Sequence, residues 1–358
     1  MLLEGIFPAI TTPYYPDGKL YMRKLEHNID RYSRTQLAGM VVLGSTGEAV
    51  MLGPEEQREV LKTAIDAAAP EKVMLAGVGQ ESVLETLRLA EYAARLNYDA
   101  VLVRTPHFYR GQMHRKNRAQ LEMLTYYRAV ADHSALPVIL YSVPALTQYE
   151  LPVEVVAELA QHPNIAGIKD SSGKPERIAA LVEAVKFRKR TVTVTPVFAA
   201  VTARMQKSHF TESAGQNFVA ADALGQQGTA LAVAPPKAAM KTRQKEVGFA
   251  VLAGAAHTLH ESLNAGAAGG VLAFAACAPQ CCYEIYTAWK EGDAPLAAEK
   301  QLRVQQASNR VGAQMGIPGI KYACDLNGYY GGRPRLPLLP LTGEEQREVT
   351  SLMADIRY

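Results

Sequence analysis

The chain has 358 residues, of which 48% are hydrophobic and 20% are charged. This composition is typical of globular proteins, and the length suits one large domain or two small ones. The formal net charge of +3 is too small to indicate a nucleic-acid or membrane partner by itself. The longest uncharged apolar stretch, residues 265–279, consists mostly of Ala and Gly and is too short to span a bilayer.

The amino-terminal sequence and the cysteines predict a cytoplasmic protein. MLLEGIFPAITTPYYPDG runs directly into a strand-like segment and a turn, so we expect no signal peptide. Four cysteines are too few for a disulfide framework and suit a reducing compartment. Cys277, Cys281 and Cys282, with His257 and His260 upstream, match no common metal-site spacing, so we expect no metal there.

In chain order, short apolar runs alternate with amphipathic helical segments such as residues 54–69 and 82–95. Fully apolar strands that alternate with helices are typical of a parallel sheet covered on both faces. Eight such units predict a (β/α)₈ barrel. A doubly wound open sheet is the alternative, but its glycine fingerprint has only a weak match, GVGQES at Gly77. The predicted strands end near Ile10, Leu43, Ala76, Val103, Tyr141, Lys169, Ala253 and Phe274.

One interval breaks this alternation, between the sixth helix and the seventh predicted strand. Residues 188–247 carry nine Lys or Arg against three Asp or Glu, a net charge of +6 that accounts for the basicity of the whole chain. The segment contains no recognisable nucleic-acid module, so we expect no nucleic-acid partner. Helix-to-strand connections lie on the bottom face of a barrel, so we expect the insert to affect stability or subunit packing.

Further helical segments follow the eighth strand, at residues 280–290, 295–315 and 344–356. The predicted organisation is therefore a barrel over residues 1–275, with an atypical insert at about 188–247, and a C-terminal helical subdomain over residues 276–358.

Three predicted strands end in polar residues that a barrel would bring to one face. The second leads into GSTGE (residues 44–48), the fifth into YSVP (residues 141–144), and the sixth ends at Lys169. Lys169 either reaches solvent or pairs with Asp170, as most lysines do, or is a nucleophilic amine. In the second case desolvation would keep the amine neutral, ready to form a Schiff base with a carbonyl substrate.

The other two strand ends also allow a structural and a functional interpretation. In GSTGE, backbone N–H groups and the hydroxyls of Ser45 and Thr46 would form an anion cradle. Ser45 and Glu48 equally fit a helix capping box. Tyr141 is either a proton-relay phenol or an aromatic side chain packed at the top of the barrel. Taken together, a cradle, a phenol and an amine suit a 2-oxo acid: they would bind its carboxylate, transfer a proton and form an imine.

The motifs ITTPYYPDG, GSTGE, LYSVP and GIKDSSG resemble those of the dihydrodipicolinate synthase/N-acetylneuraminate lyase family, class I lyases that handle pyruvate. The resemblance spans nearly the whole chain outside the insert. It implies that Lys169 forms the Schiff base, that Tyr141 shuttles protons, and that Ser45 and Thr46 hold the pyruvate carboxylate. It also implies a catalytic part for Thr46 in the relay and a place for Leu272 at the substrate site. It further implies a homotetramer or dimer, and no metal or cofactor, because the iminium is the electron sink.

Within the family, YSVPALTQYELP, QHPNIAGIKDSSG and GIPGIKYACDLNGYYGG most resemble 4-hydroxy-2-oxoglutarate aldolase. Synthases of the family usually have an arginine where this chain has Leu146. The synthases also place a tyrosine from a neighbouring subunit in the proton relay. At the matching position this chain has Phe108, followed by Tyr109. The resemblance favours reversible cleavage of 4-hydroxy-2-oxoglutarate to pyruvate and glyoxylate.

Two alternatives stay open. One is a dihydrodipicolinate synthase that condenses pyruvate with aspartate semialdehyde, against which Leu146 argues. The other is a non-catalytic barrel that senses 2-oxo acids. A sensor has no need of the amine of Lys169, so the intact set of Ser45, Thr46, Tyr141 and Lys169 argues against it.

Overall fold

The computed structural model describes residues 1–113, 118–207 and 240–356. The centre of the fold is an eight-stranded parallel sheet. Its strands are β1 (Gly5–Pro8), β2 (Gly39–Val42), β3 (Val73–Gly77), β4 (Ala100–Arg104), β5 (Val138–Ser142), β6 (Ile165–Asp170), β9 (Ala250–Ala253) and β10 (Gly269–Leu272). Two further strands, β7 (Lys189–Val194) and β8 (Arg243–Gly248), pair with each other outside this sheet.

The spatial order of the sheet is β1-β10-β9-β6-β5-β4-β3-β2. A parallel bridge between Ala9 and Val41 joins the two outer strands and brings the edges of the sheet together. The predicted (β/α)₈ barrel is therefore confirmed. Each predicted strand end lies within two residues of the observed one.

The strands are short and apolar because both of their faces are covered. Alternate residues point to opposite faces of a strand. Leu75 and Ile139 belong to a cluster with contributions from all eight strands, which fills the inside of the barrel. Their neighbours Met74 and Leu140 pack instead between the sheet and the surrounding helices.

The helices cover the outside of the barrel and form the C-terminal region. They are α1 (Met22–Ser33), α2 (Pro54–Ala67), α3 (Val83–Arg95), α4 (Arg110–Met113), α5 (Arg118–His133), α6 (Pro144–Thr147), α7 (Val153–Leu159), α8 (Pro175–Val185), α9 (Leu259–Asn264), α10 (Pro279–Lys290), α11 (Ala294–Ala307), α12 (Gly316–Leu326) and α13 (Gly343–Leu352). A π-helical turn, Ser308–Gln314, follows α11. The sequence analysis did not predict α12, because Gly316, Pro318 and Gly319 at its start interrupt the helical pattern.

The chain between β6 and β9 forms the antiparallel β7–β8 ribbon. Its described parts contact the amino-terminal ends of the barrel strands. Lys245 pairs with Glu4 just before β1, at 2.6 Å. The backbone N–H of Ala203 donates to Asp99, which directly precedes β4, at 2.8 Å. The ribbon therefore lies at the end of the barrel opposite to the carboxyl ends of the strands, where the predicted site residues are found. Residues 208–239 of the predicted insert lie outside the described residues, and the role of the insert stays a prediction.

Candidate active site

A cavity of ≈ 520 Å³ opens at the carboxyl ends of the barrel strands. Residues at the ends of β5 and β6 and residues that follow β2, β5, β6, β9 and β10 line it, together with the π-helical turn, the start of α12 and Leu338. It brings together four of the predicted site residues and a fifth that was predicted for the second-substrate pocket: Ser45, Thr46, Tyr141, Lys169 and Leu146.

Lys169 and Tyr141 meet because of the register between β5 and β6. The two residues lie directly opposite each other, and so do Ser142 and Asp170 one position further. The Lys169 side chain is only 4% exposed, and its Nζ lies 4.2 Å from the centroid of the Tyr141 ring. In the described part of the chain, Lys169 forms no ion pair with a carboxylate, since neighbouring Asp170 is bound elsewhere. The amine is thus buried, next to a phenol, and open to the cavity.

The electrostatic surroundings of Tyr141 make its phenol more acidic than an ordinary tyrosine. Burial is the largest influence and raises its pKa. The positive charge of Lys169 and hydrogen bonds to Ser45, Lys169 and Ser171 act in the opposite direction, and together they hold the pKa of Tyr141 below its usual value. The hydroxyls of Ser45 and Tyr141 are 3.4 Å apart. A phenol of this kind can accept and return a proton more readily than an isolated tyrosine.

The GSTGE motif forms a 3₁₀ turn, Ser45–Gly47, directly after β2. The capping-box interpretation is wrong, because Ser45 is the first residue of this turn rather than its N-cap, and the N–H of Glu48 donates to the Ser45 carbonyl rather than to its hydroxyl. Glu48 adopts a left-handed backbone conformation (φ 55°), and its carboxylate turns away from the motif toward the C-terminal region. The turn is held instead by Thr12, whose hydroxyl donates to the carbonyl of Gly47 at 2.6 Å. This leaves Ser45 and Thr46 at the cavity.

Glu48 anchors the turn to the C-terminal helices through a buried ion pair. Its Oε1 lies 2.6 Å from Nζ of Lys321 on α12, and both side chains are fully buried. The backbone N–H of Arg335 donates to its Oε2 at 2.7 Å. Burial lowers the pKa of Lys321, although the charge of Glu48 opposes this shift. The sequence analysis missed this pair, because its two residues are far apart in the chain and α12 was not predicted.

The loop after β6 is fixed by a second buried ion pair. Asp170 accepts from Nε of Arg177 at 2.8 Å and from the backbone N–H of Ser172 at 3.0 Å. This holds Ser171, Ser172 and Gly173 at the cavity wall. The loop approaches the next strand so closely that Gly254 has no room for a side chain, since a Cβ there would lie 2.1 Å from Oγ of Ser171.

Leu146, which was predicted for the second-substrate pocket, lies on α6 at the cavity and is 60% exposed. The structure does not bring the other predicted residues to the cavity. Phe108 and Tyr109 are 73% and 57% exposed in the turn after β4, where their rings contact each other. Leu272 ends β10 with a fully buried side chain in the core, and its carbonyl accepts the N–H of Ala9. Leu272 is therefore not among the residues that line the cavity, and its place at the substrate site stays a prediction.

His257 is a cavity residue that the sequence analysis weighed only as a metal ligand. It lies in the short turn after β9 and is half-buried. Burial lowers the pKa of its imidazole, and the charge of Glu261 partly opposes this. The general rule that residues after barrel strands face the site would have found it. His260 and the three cysteines of this region do not line the cavity, and the described residues contain no group of three or more His, Cys, Asp or Glu suited to hold a metal ion.

The profile of the Dihydrodipicolinate synthetase family matches residues 2–202 and 232–356, nearly the whole chain outside part of the insert. The chain belongs to this family. The resemblance stated from the motifs is thereby confirmed. Members of the family are carbon–carbon lyases of the aldolase type, and this family member is an enzyme of that class.

Relatives of this family member include a 4-hydroxy-tetrahydrodipicolinate synthase of Acidiphilium cryptum, 26% identical over 355 residues, which is 99% of either chain. Another, from Xanthomonas campestris, is 38% identical over 182 residues. That match covers 51% of this chain and only 58% of the relative. Both names describe the relatives, and they do not establish the substrate of this chain.

Solved structures share this fold. A crystal structure from Pseudomonas aeruginosa, described as a putative dihydrodipicolinate synthetase, has a TM-score of 0.76 at 22% identity, with 99% of this chain and 100% of that chain covered. The chloride-inhibited dihydrodipicolinate synthase of Acinetobacter baumannii, in complex with pyruvate, has a TM-score of 0.75 at 25% identity and 99% coverage of both chains. In the part of this chain that the structure describes, no helix has the length and apolarity needed to cross a membrane.

Proposed function

We propose that this protein is a class I pyruvate aldolase in which Lys169 is the covalent nucleophile. The amine of Lys169 attacks the ketone carbon of pyruvate, and loss of water leaves an imine that carries a positive charge when protonated. Loss of one methyl proton converts this iminium into an enamine. The enamine carbon then bonds to the carbonyl carbon of an aldehyde, and the aldehyde oxygen takes up the proton. Water hydrolyses the new imine, which releases the 4-hydroxy-2-oxo acid and the free lysine. Cleavage is the reverse sequence.

Tyr141 is the group we assign to the proton transfers. Its hydroxyl is adjacent to Ser45, and its ring lies beside the amine of Lys169. A phenol with a lowered pKa can take the proton that the imine-forming steps release and return it to the oxygen of the aldol product. Ser45 and Thr46, in the tight turn after β2, supply hydroxyl and backbone donors for the carboxylate of pyruvate.

The observation that carries this proposal is the buried amine of Lys169, next to a phenol and facing a cavity, without a carboxylate partner among the described residues. Borohydride reduction in the presence of pyruvate tests it. Mass spectrometry of the peptides should find one pyruvate-derived group on Lys169. Lys174→Ala is the matched control, because Lys174 lies in the same loop but is exposed and pairs with Glu150. A label on Lys321 or another lysine, or no label, would overturn the mechanism.

For the second substrate we propose glyoxylate, so that the physiological reaction is reversible cleavage of 4-hydroxy-2-oxoglutarate. Aspartate semialdehyde is the alternative, in line with the names of the relatives. A synthase must bind the carboxylate of the semialdehyde, for which a bidentate arginine is the suited group. Leu146 has no donor at that distance from the enamine, and the described lining residues include no arginine. Glyoxylate is shorter, so its carboxylate would lie nearer the enamine, within reach of other donors of the cavity.

We expect kcat/KM for cleavage of 4-hydroxy-2-oxoglutarate to exceed kcat/KM for condensation with aspartate semialdehyde. Leaving an ionic partner unpaired costs about 2–5 kcal/mol, roughly a thirtyfold to several-thousandfold loss. Steady-state kinetics of the purified protein on both substrates measures the ratio. A higher value for aspartate semialdehyde would restore the synthase as the better assignment.

We further propose that the protein acts as a homo-oligomer in the cytoplasm. The exposed aromatic pair Phe108 and Tyr109 supports the first part, since large apolar side chains exposed together are typical of protein contacts. In such an oligomer, Tyr109 is our candidate for the relay tyrosine that a neighbouring subunit supplies. The four cysteines are free and buried, which supports a reducing compartment. Sedimentation analysis of the wild-type protein and of Phe108→Ser tests the contact.

A further inference from the structure

We propose that His257 binds the carboxylate of the aldehyde half of the substrate and thereby selects glyoxylate over neutral aldehydes. The inference rests on the proposed function, because it concerns the second substrate of the same site. It assigns a specificity-determining role to a residue outside the lysine, phenol and hydroxyl set.

The cavity wall contains few groups that could bind a second carboxylate. The cleaved substrate carries two carboxylates, and Ser45 and Thr46 are assigned to the one that belongs to pyruvate. Among the described lining residues, the polar side chains that remain are Ser171, Ser172, His257 and Ser308, and there is no Arg, Asp or Glu. His257 is therefore the only lining side chain in the described part of the chain, besides Lys169, that can carry a positive charge toward the second carboxylate.

The imidazole of His257 is available to bind a carboxylate. Its ring forms no hydrogen bond with another described residue, whereas the ring of His260, one turn away, is bound to Asn264 at 3.1 Å. Nε2 of His257 faces the loop after β6, at 3.4 Å from the position that a Cβ on Gly173 would occupy. The glycine leaves the ring exposed to the cavity at the place where that loop and the turn after β9 meet.

The groups around the ring define its charge state. Glu261, on the helix that follows the turn of His257, is the carboxylate that acts on the ring within the described part of the chain, and its effect is smaller than that of burial. The loop after β6 presents Ser172 and Gly173, which are neutral. Gln301 of α11 contributes an amide that donates to the carbonyl of Ala256 at 3.1 Å, and the π-helical turn contributes Ser308. An incoming carboxylate would thus favour the protonated ring, so binding takes up a proton and weakens as the pH rises.

The test compares glyoxylate with acetaldehyde, a small neutral aldehyde, in condensation with pyruvate. His257→Ala should raise KM for glyoxylate roughly tenfold to a hundredfold, the usual value of a hydrogen bond to a charged group, and leave KM for acetaldehyde unchanged. His257→Gln, which can donate but cannot become charged, should recover part of the loss and should remove the rise of KM with pH. His260→Gln is the matched control and should behave like the wild type.

Borohydride labelling with pyruvate separates this inference from the proposed function. Label on Lys169 in every variant, with unchanged KM for glyoxylate, would overturn the role of His257 and leave the aldolase assignment intact. Equal losses for glyoxylate and acetaldehyde would also overturn it, since a carboxylate contact cannot affect a neutral aldehyde. If the wild-type protein takes the label but forms no product from glyoxylate, both the choice of glyoxylate and the role of His257 are wrong. Absence of label in the wild type would instead contradict the imine chemistry itself.

Discussion

The carboxyl end of β6 and the helix α12 each contain a buried lysine, and the two lysines have opposite surroundings. Lys321 on α12 is fully buried and lies 2.6 Å from the carboxylate of Glu48. Its Nζ also donates to the carbonyl of Arg333 at 3.0 Å. Lys169 at the end of β6 is 4% exposed, with a phenol as its neighbour and a cavity in front of it.

Burial alone therefore does not identify a nucleophile. A lysine held by a carboxylate is charged and has its donors occupied, so it can stabilise the fold but cannot attack a ketone. An amine without such a partner can exchange its proton with a neighbouring phenol. The presence or absence of a carboxylate partner, rather than the depth of burial, therefore distinguishes a structural lysine from a nucleophilic one. The Glu48–Lys321 pair also serves the other site indirectly, because it anchors the turn that contains Ser45 and Thr46.

The largest expected effect separates the two lysines directly. Lys169→Ala should abolish both turnover and the pyruvate label, because no other side chain can replace a covalent nucleophile. Lys321→Met should keep the label on Lys169 in whatever fraction of the protein is folded. Peptide mass spectrometry after borohydride reduction, with the folded fraction measured by circular dichroism, gives both results. Turnover in the Lys169→Ala protein would show that Lys169 is not the nucleophile.

Replacing Tyr141, the neighbour of Lys169, should have the next largest effect on turnover. Tyr141→Phe should keep the imine but slow turnover roughly a hundredfold or more, the usual contribution of a positioned acid–base group. The variant should also lose one phenol ionisation below the ordinary pKa of 10, which ultraviolet titration against the wild type detects. Tyr127→Phe is the control, since burial raises the pKa of Tyr127 well above that value. A near wild-type rate for Tyr141→Phe would remove the phenol from the mechanism.

Replacing Glu48, the partner of Lys321, should have a large effect on stability. Glu48→Gln leaves a buried ammonium without its counter-charge, and Lys321→Met leaves a buried carboxylate. Removing one member of a buried pair costs about 3–5 kcal/mol of unfolding free energy. The double variant should lose less than either single change, because it leaves no unpaired charge. Urea unfolding of the three variants measures this. Losses below about 1 kcal/mol in both single variants would place the pair among surface-like ion pairs.

The sequence predicted the barrel well and the site in part, for physical reasons that particular residues make clear. Both faces of β5 and β6 are buried, so their apolar runs and the positions of Tyr141 and Lys169 were visible in the pattern. For Ser45 and Glu48 the sequence left a capping box open as an alternative, because the spacing of these residues does not distinguish a helix start from the observed 3₁₀ turn. Lys321 was missed as the partner of Glu48, because the pair joins two segments that are distant in the chain. The position of His257 after a barrel strand was predictable, but its contacts with the loop after β6 were not. The exposure of Leu146, Phe108 and Tyr109 likewise follows from the loops around the barrel, which carry no periodic pattern.

A third lysine, on the β7–β8 ribbon, gives the smallest expected effect and extends the comparison to the other end of the barrel. Nζ of Lys245 lies 2.6 and 2.8 Å from the two carboxylate oxygens of Glu4, so this lysine has a carboxylate partner as Lys321 does. Its side chain is 30% exposed, however, and water screens the attraction. Lys245→Gln should therefore cost about 0–1 kcal/mol of unfolding free energy, and the pyruvate label on Lys169 should be unchanged. Urea unfolding at low and high salt measures the change in unfolding free energy. If Lys245→Gln lost several kcal/mol, the contact between the ribbon and Glu4 would stabilise the fold as much as the buried Glu48–Lys321 pair does. A loss of label would mean that the amino-terminal end of the barrel is coupled to the site, which the separation of the two ends argues against.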